Sequence, residues 1–275
     1  DPFVCRGLDA LNYATYMDSR FMIVGTPSGV TLAPEGGAHQ SIGTPLIGMS
    51  QDGLASFEPA FVDELSAIMH WSFDYMQREG KDDFDERTWL RDETGGSVYL
   101  RLSTKALEQP IGRDSKEFKR GVIDGGYWLR KPGANCEIVI AYQGVVAPEA
   151  IKAAGIIGNS RRDIGVLAVT SADRLNAGWH AAVRCRKNGM VSATSHIERL
   201  MADLPPHCLL VTVIDGHPAT LAWLGGVHGH RTVPLGVEHF GQTGTVQDLY
   251  RHFGIDAESI VKAASELIPG RKILS

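Results

Sequence analysis

The strongest constraint on the fold is a set of apolar runs in the second half of the chain. The longest, residues 208–214, is almost entirely apolar, as expected for a strand in a sheet that is covered on both faces. Two further runs, residues 137–142 and 165–170, precede it, and a helix-like segment that opens at Pro148 separates them. Strands that alternate with helices in this way predict a mostly parallel sheet with right-handed crossovers.

The N-terminal part carries a shorter version of the same pattern. Residues 21–24 predict a buried strand, and residues 97–104 predict another with alternating character. Between them, apolar residues at spacings of three and four predict a long amphipathic helix that ends near residue 80. The charged segment 81–96 is interpreted as a solvated insertion. The chain is therefore expected to be α/β, an incomplete unit followed by a complete one.

Composition argues against several classes of function. The 275 residues include 27 basic and 32 acidic side chains, a net charge of −5, with no dense Lys/Arg block, so general nucleic-acid binding is not expected. No apolar run is long enough to span a membrane. The four cysteines do not have metal-ligand spacing, which predicts a reduced, cytoplasmic protein with no metal site built from them.

A candidate site lies in the segment GVTLAPEGGAHQS, residues 29–41, which follows the first predicted strand. Open α/β sheets build ligand sites in the loops at the carboxyl ends of their strands. The two glycines permit close approach of the backbone to a ligand, and His39 can exchange a proton near neutral pH. Glu35 and Gln40 add a carboxylate and an amide. The alternative is a surface turn whose histidine has no function, and the local pattern leaves both interpretations open.

The start of the chain carries an expectation of its own. It begins with Asp1, Pro2 and Phe3 rather than with methionine, and it enters a helix-like pattern at once. A natural domain rarely opens so abruptly. We expect a preceding N-terminal part that is cleaved, not expressed or disordered.

Several motifs, in this order along the chain, resemble the C-terminal half of thiamine diphosphate enzymes of the transketolase superfamily. The most specific are PEGGAHQS, VTSADRLNAGW and FGQTGTVQDLYRHFGID. Within the superfamily, the chain is most similar to the single-chain, homodimeric decarboxylating component of bacterial pyruvate dehydrogenase complexes. The resemblance implies two three-layer α/β units with mostly parallel sheets: a partial pyrimidine-binding domain over residues 1–108, a linker over 109–121 and a transketolase-like C-terminal domain over 122–275.

The resemblance also implies which residues form the site. His39 falls where relatives place a histidine facing the substrate and the thiazolium carbon, so we expect it to transfer a proton or to hydrogen-bond the oxygen of the adduct. Gln40 is its neighbour in the transketolase-like pattern, and Phe3 and Arg6 resemble the segment that stacks an aromatic ring on the pyrimidine. Glu35 is a candidate for substrate or cofactor binding. It does not correspond to the glutamate that activates the aminopyrimidine, which lies upstream in relatives.

The implied cofactors are thiamine diphosphate and Mg²⁺. The GDG metal motif of the family does not occur in this sequence, so the resemblance implies that both are bound mainly through regions absent from the chain, which alone would not turn over. The expected partners are a small 2-oxo acid substrate, a second copy or the missing N-terminal part of the same protein, and a lipoyl-bearing acyltransferase. Two alternatives remain: a transketolase, which would need basic residues such as Arg101 and Lys105 to hold a sugar phosphate, and a non-catalytic dimerisation module.

Overall fold

The computed structural model describes residues 1–81, 90–160 and 163–267, which form two α/β units. The strands are β1 (Met22–Gly25), β2 (Leu54–Phe57), β3 (Ser97–Arg101), β4 (Gly126–Arg130), β5 (Ile138–Gln143), β6 (Ile164–Val169), β7 (Leu209–Ile214) and β8 (Thr232–Leu235). The α-helices of the described residues are α1 (Leu8–Tyr16), α2 (Pro45–Ser50), α3 (Val62–Tyr75), α4 (Lys116–Asp124), α5 (Ala147–Ser160), α6 (Ala172–Lys187), α7 (His196–Met201), α8 (Ala219–Ala222), α9 (Val246–His252) and α10 (Ala257–Leu267).

The N-terminal unit is built on a three-stranded parallel sheet in the order β1-β3-β2. On one face, Phe57 and Leu100 of the sheet share a buried cluster with Ile68 of α3. On the other face, Tyr99 packs in a cluster with Leu11 of α1. The sheet is therefore covered by helices on both sides, which explains why β2 and β3 are buried along their whole length.

The C-terminal unit contains a five-stranded sheet in the order β4-β6-β5-β7-β8, in which β4 is antiparallel to its neighbour β6. Apolar side chains of β5, β6 and β7 alternate between two cores. Ile140 and Val211 pack with Ile157 of α5, and Val139 and Leu210 pack on the opposite face with helices α6 to α8. Each strand must be apolar on both faces, which accounts for the unbroken runs in the sequence.

Polar side chains mark the starts of several helices. The hydroxyl of Ser171 accepts a hydrogen bond of 3.0 Å from the backbone N–H of Arg174 at the start of α6. Ser195 and Glu198 form a reciprocal capping box at the start of α7. Such caps satisfy backbone N–H groups that have no partner within the helix. Ser171 and Ser195 therefore define where α6 and α7 begin.

The predicted α/β architecture, two units with mostly parallel sheets, is confirmed. Strand and helix boundaries shift by a few residues, as in the run predicted over 208–214 that begins as a strand at Leu209. The linker predicted over 109–121 contains the start of α4, so this connection is partly helical, and the domain boundaries remain predictions. Residues 82–89 of the segment interpreted as a solvated insertion lie outside the described residues.

The two units meet where the strands of both sheets end. Glu58, which follows β2, accepts a hydrogen bond of 2.9 Å from the side chain of Gln143 at the end of β5. Its backbone N–H donates to the carbonyl oxygen of Thr170 at 2.8 Å. Asp215, which follows β7, accepts a hydrogen bond of 2.8 Å from the backbone N–H of Val30. The carboxyl ends of both sheets, where α/β proteins place ligands, thus face the same boundary.

Candidate active site

The loop that carries His39 begins where β1 ends at Gly25. Gly36 and Gly37 have φ angles of +62° and +58°, a conformation open to glycine but sterically costly for other residues. They lead into a single 3₁₀ turn, Ala38–Gln40. The paired glycines are therefore needed to turn the chain into the segment that presents the histidine.

The base of this loop is closed by hydrogen bonds around Ser41. Its hydroxyl accepts from the backbone N–H of Gly29 at 3.2 Å and donates to the carboxylate of Asp1 at 2.6 Å. The same carboxylate accepts from the hydroxyl groups of Thr44 and Tyr99. Ser41 itself is left-handed, with φ of +40°, so tertiary contacts hold it in a conformation that it would rarely adopt alone.

His39 lies against Phe3. Their ring centroids are 5.8 Å apart with an interplanar angle of 71°, an edge-to-face contact. The guanidinium carbon of Arg6 lies 4.7 Å from the centroid of the Phe3 ring. Phe3 remains 57% exposed and His39 is partly exposed. The structure therefore brings three of the five predicted site residues into one accessible cluster, and this cluster is the candidate active site.

The other two predicted residues lie in different surroundings. Glu35 is exposed, and among the described residues its side chain makes no hydrogen bond or ion pair. Gln40 is 1% exposed, and its amide nitrogen donates to the backbone carbonyl of Gln242 at 3.2 Å. Although Gln40 is next to His39 in the sequence, its side chain lies in the contact between the two units. The interpretation of Gln40 as a ligand for substrate stays a prediction.

A buried ionic cluster, which the sequence did not reveal, lies at the same boundary. Arg101 is 1% exposed and pairs with the carboxylates of Asp1, at 3.2 Å, and Glu58, at 2.5 Å. Asp215 is also fully buried. The guanidinium of Arg101 is therefore engaged in ion pairs inside the protein. The sequence offers one signal of this cluster: the carboxylate of Asp215 directly follows β7, the most apolar strand.

Burial raises the pKa of Glu58, and the charge of Arg101 together with the hydrogen bond from Gln143 offsets part of that rise. Burial likewise raises the pKa of Asp215, against the opposing effects of Arg101 and the backbone N–H of Val30. Loss of water disfavours the charged form of a carboxyl group. The boundary between the units therefore contains a network of paired buried charges. Among the groups of this cluster, Arg101 supplies the guanidinium on which the stability of the contact depends.

The described residues contain no group of three His, Cys, Asp or Glu side chains placed to hold a metal ion. None of the helices in the described ranges combines the length and apolar character required to cross a bilayer.

No protein-family model matches the chain. The sequence is 27% identical over 258 residues to the pyruvate dehydrogenase E1 component of Corynebacterium glutamicum, an alignment that covers 91% of this chain and 26% of that protein. It is 27% identical over 173 residues to the plasmid transketolase of Cupriavidus necator, covering 63% of this chain and 22% of that protein. The chain therefore spans about a quarter of the length of these curated relatives.

Solved structures share the fold. Transketolase from Leishmania mexicana matches with a TM-score of 0.71 and 18% identity, covering 97% of this chain and 33% of that one. A split-gene transketolase, described as an inactive β4 tetramer, matches with a TM-score of 0.62 and 18% identity, covering 97% of this chain and 73% of that one. At these identities the likeness establishes the fold alone.

The fold and the sequence similarities agree with the resemblance to the C-terminal half of thiamine diphosphate enzymes of the transketolase superfamily. Its sequence relatives include both pyruvate dehydrogenase E1 components and transketolases, each of which is longer than this chain. The resemblance identified from the sequence motifs is thereby confirmed.

Proposed function

We propose that the chain is part of the decarboxylating component of a thiamine diphosphate-dependent 2-oxo acid dehydrogenase, with pyruvate as the substrate. The observation that carries the proposal is the accessible contact between His39 and Phe3, 5.8 Å apart, in a loop at the carboxyl end of a parallel strand. The similarity to a pyruvate dehydrogenase E1 component over 91% of the chain supports the choice of reaction. The acyl unit would pass to a lipoyl group on an acyltransferase partner.

Thiamine diphosphate, when bound, supplies the electron sink that allows a 2-oxo acid to lose carbon dioxide. In this proposal the imidazole of His39 hydrogen-bonds the carbonyl oxygen of the substrate as negative charge develops there. An imidazole can both donate and accept a proton, so the same ring can also take part in proton transfer. Phe3 contacts the His39 ring edge to face and so helps to fix its position, and Arg6 in turn lies over the ring of Phe3.

The residues present fit the cofactor in part. The exposed ring of Phe3 offers an aromatic face against which a heteroaromatic ring can stack. These 275 residues contain no GDG motif for the diphosphate and its Mg²⁺. We propose that this end of the cofactor is held by another polypeptide segment or subunit, while the segment around Phe3 and His39 faces its reactive end.

The surface around β1 supports the need for a further protein part. Among the described residues, β1 is an edge strand paired with β3, and Val24 on it is 49% exposed. The neighbouring helix α1 exposes Tyr13 and Tyr16 at 67% and 80%, and Met17, which follows it, is 64% exposed. Parallel sheets are rarely left open, and exposed apolar patches of this kind mark interaction sites. We propose that the remainder of the enzyme, or a second copy of this chain, covers this surface.

Transketolase activity is the second candidate, because two sequence relatives and the solved structures carry that name. One observation weakens it. Arg101, a residue that could have held a sugar phosphate, is buried in ion pairs with Asp1 and Glu58. Lys105 remains partly exposed. A third possibility, a non-catalytic assembly module, predicts that changes at His39 have no effect on turnover.

The test uses the complete native enzyme that contains this chain, with thiamine diphosphate and Mg²⁺ added. Reduction of ferricyanide with pyruvate measures decarboxylation, and transfer from xylulose 5-phosphate to ribose 5-phosphate measures transketolase activity. We expect pyruvate turnover, with His39→Ala lowering kcat/KM by on the order of 100-fold, the usual contribution of a positioned proton donor. His70→Ala is the matched control, since His70 is exposed on α3. Near-normal turnover by His39→Ala would contradict the proposed role.

A further inference from the structure

The loop that carries His39 is held by a segment of the C-terminal unit more than two hundred positions away in the chain. The backbone N–H of Gly37 donates to the carbonyl oxygen of Gly241 at 3.1 Å, forming an isolated antiparallel bridge. Ser41, two residues after His39, holds the other end of the turn. Its hydroxyl donates a hydrogen bond to the carboxylate of Asp1 in the N-terminal unit. The two ends of the histidine-bearing turn are therefore fixed by different units.

Gln40 supplies a second bond between the same segments. Its amide nitrogen donates to the carbonyl oxygen of Gln242 at 3.2 Å, while its amide oxygen is buried with no hydrogen-bond partner among the described residues. A buried polar oxygen without a partner is unfavourable. The contribution of the side chain therefore lies in the bond that its nitrogen makes across the boundary.

There is no room for a side chain at Gly241. A Cβ atom added there would lie 1.3 Å from the amide oxygen of Gln40, far inside van der Waals contact. A Cβ at Gly36 would lie 2.8 Å from the hydroxyl oxygen of Thr243. The backbones of the two segments therefore approach each other as closely as glycine permits.

The turn cannot maintain this shape from local bonds alone. Gly37 before His39 has φ of +58° and Ser41 after it has φ of +40°, and regular structure between them is limited to one 3₁₀ turn. Unfavourable backbone angles persist where surrounding structure determines them. For Ser41 that structure is its bonds to Gly29 and Asp1, and the other end of the turn is held by the bonds of Gly37 and Gln40 to Gly241 and Gln242.

We propose that Gln40 and Gly241 are positioning residues, which hold His39 against Phe3 through the contact between the two units. Gln40 thus acts on the site through the loop and without touching substrate. The consequence for catalysis rests on the function proposed above for His39, whereas the positioning itself can be tested without turnover.

The positioning test follows the His39 ring by NMR in the 275-residue chain labelled with [¹³Cε1]histidine, with His39→Gln identifying the signal. In Gly241→Ala, we expect the His39 signal to shift or split and its through-space contact with the Phe3 ring to be lost. The double variant Gln40→Ala/Gly241→Ala should give a spectrum close to that of Gln40→Ala alone, because the clashing group is gone. Gly155→Ala is the control, since a Cβ there meets nothing within 4 Å.

Circular dichroism verifies that each variant is folded. An unchanged His39 signal in a folded Gly241→Ala variant would overturn the proposal, as would a double variant that behaves like Gly241→Ala alone. In the complete enzyme, Gly241→Ala should lower kcat about 10-fold with a smaller change in KM. A shifted signal combined with unchanged kcat would support the positioning role and count against the catalytic role of His39, so the two proposals fail separately.

Discussion

Replacing Arg101 with methionine tests whether the buried ionic cluster holds the two units together. Arg101 comes from the last residue of β3, whereas Asp1 and Glu58 come from two other segments of the N-terminal unit, and Glu58 in turn bonds Gln143 of the C-terminal sheet. Methionine keeps an unbranched apolar side chain but removes the charge. The variant therefore leaves the carboxyl groups in place without their cation.

The size of the effect follows from burial. The side chains of Arg101, Asp1 and Glu58 are 1%, 0% and 5% exposed, and removing one partner of such a buried pair costs about 3–5 kcal/mol. The exposed pair of Arg20 and Asp18, with side chains 26% and 52% exposed, provides the comparison. A pair of that kind contributes about 0–1 kcal/mol. We therefore expect Arg101→Met to be several times more costly than Arg20→Met.

The loss should also depend on pH. Burial already raises the pKa of Glu58 above its ordinary value, and removing the opposing charge of Arg101 raises it further. Groups with a raised pKa in the folded state bind protons on folding, so their contribution to stability is lost as pH rises. The difference between wild type and Arg101→Met should accordingly be small near pH 4 and approach its full size at about pH 8.

Urea unfolding, followed by tryptophan fluorescence and circular dichroism, measures these differences. A chain with two units can unfold in more than one step, so the midpoint of the first transition is the quantity to compare. We expect this midpoint to fall in Arg101→Met and to be almost unchanged in Arg20→Met. A loss below about 1 kcal/mol at pH 8, no larger than that of an exposed pair, would refute the argument that the cluster joins the units.

Two further predictions concern other parts of the chain. Burial raises the pKa of Asp173 to about 7, although the backbone N–H of Ser56 and the charge of Arg174 oppose the rise. The free energy of unfolding should thus fall as pH rises towards 7, by up to about 1.4 kcal/mol per pH unit. Asp173→Asn should flatten this slope in unfolding experiments. An unchanged slope would count against the raised pKa of Asp173. Tyr16→Asp should weaken association with the remaining part of the enzyme or a second copy, measured by light scattering, whereas Ile111→Asp, at a residue 97% exposed in the linker, should not. Equal effects of both variants would argue against the proposed surface.

The sheets could be predicted from the sequence because their signal is local. An unbroken apolar run such as the one containing Leu209–Ile214 has few alternatives to a strand covered on both faces. The edge strand Gly126–Arg130 is antiparallel to its neighbour, and that direction becomes visible only through its register with β6. Direction depends on how the chain crosses the sheet, which local composition does not encode.

The candidate site was predictable only in part, for the same reason. His39 stands in a recognisable motif, whereas the contact that fixes it joins Gly37 to Gly241. The ion pair of Arg101 with Glu58 likewise joins segments far apart in sequence. Neither pattern is periodic, and each depends on how the two sheets are placed against each other.

The placement of the two sheets also explains why a site can form at this boundary at all. Parallel strands end at one edge of a sheet, and here that edge of the N-terminal sheet faces the corresponding edge of the C-terminal sheet through the bond between Glu58 and Gln143. The loop after β1 is therefore held by Asp1 of the N-terminal unit, through Ser41, and by Gly241 of the C-terminal unit. A histidine in a loop with support from both sides can keep a fixed position without being buried, which is the combination that a residue acting on a bound substrate requires.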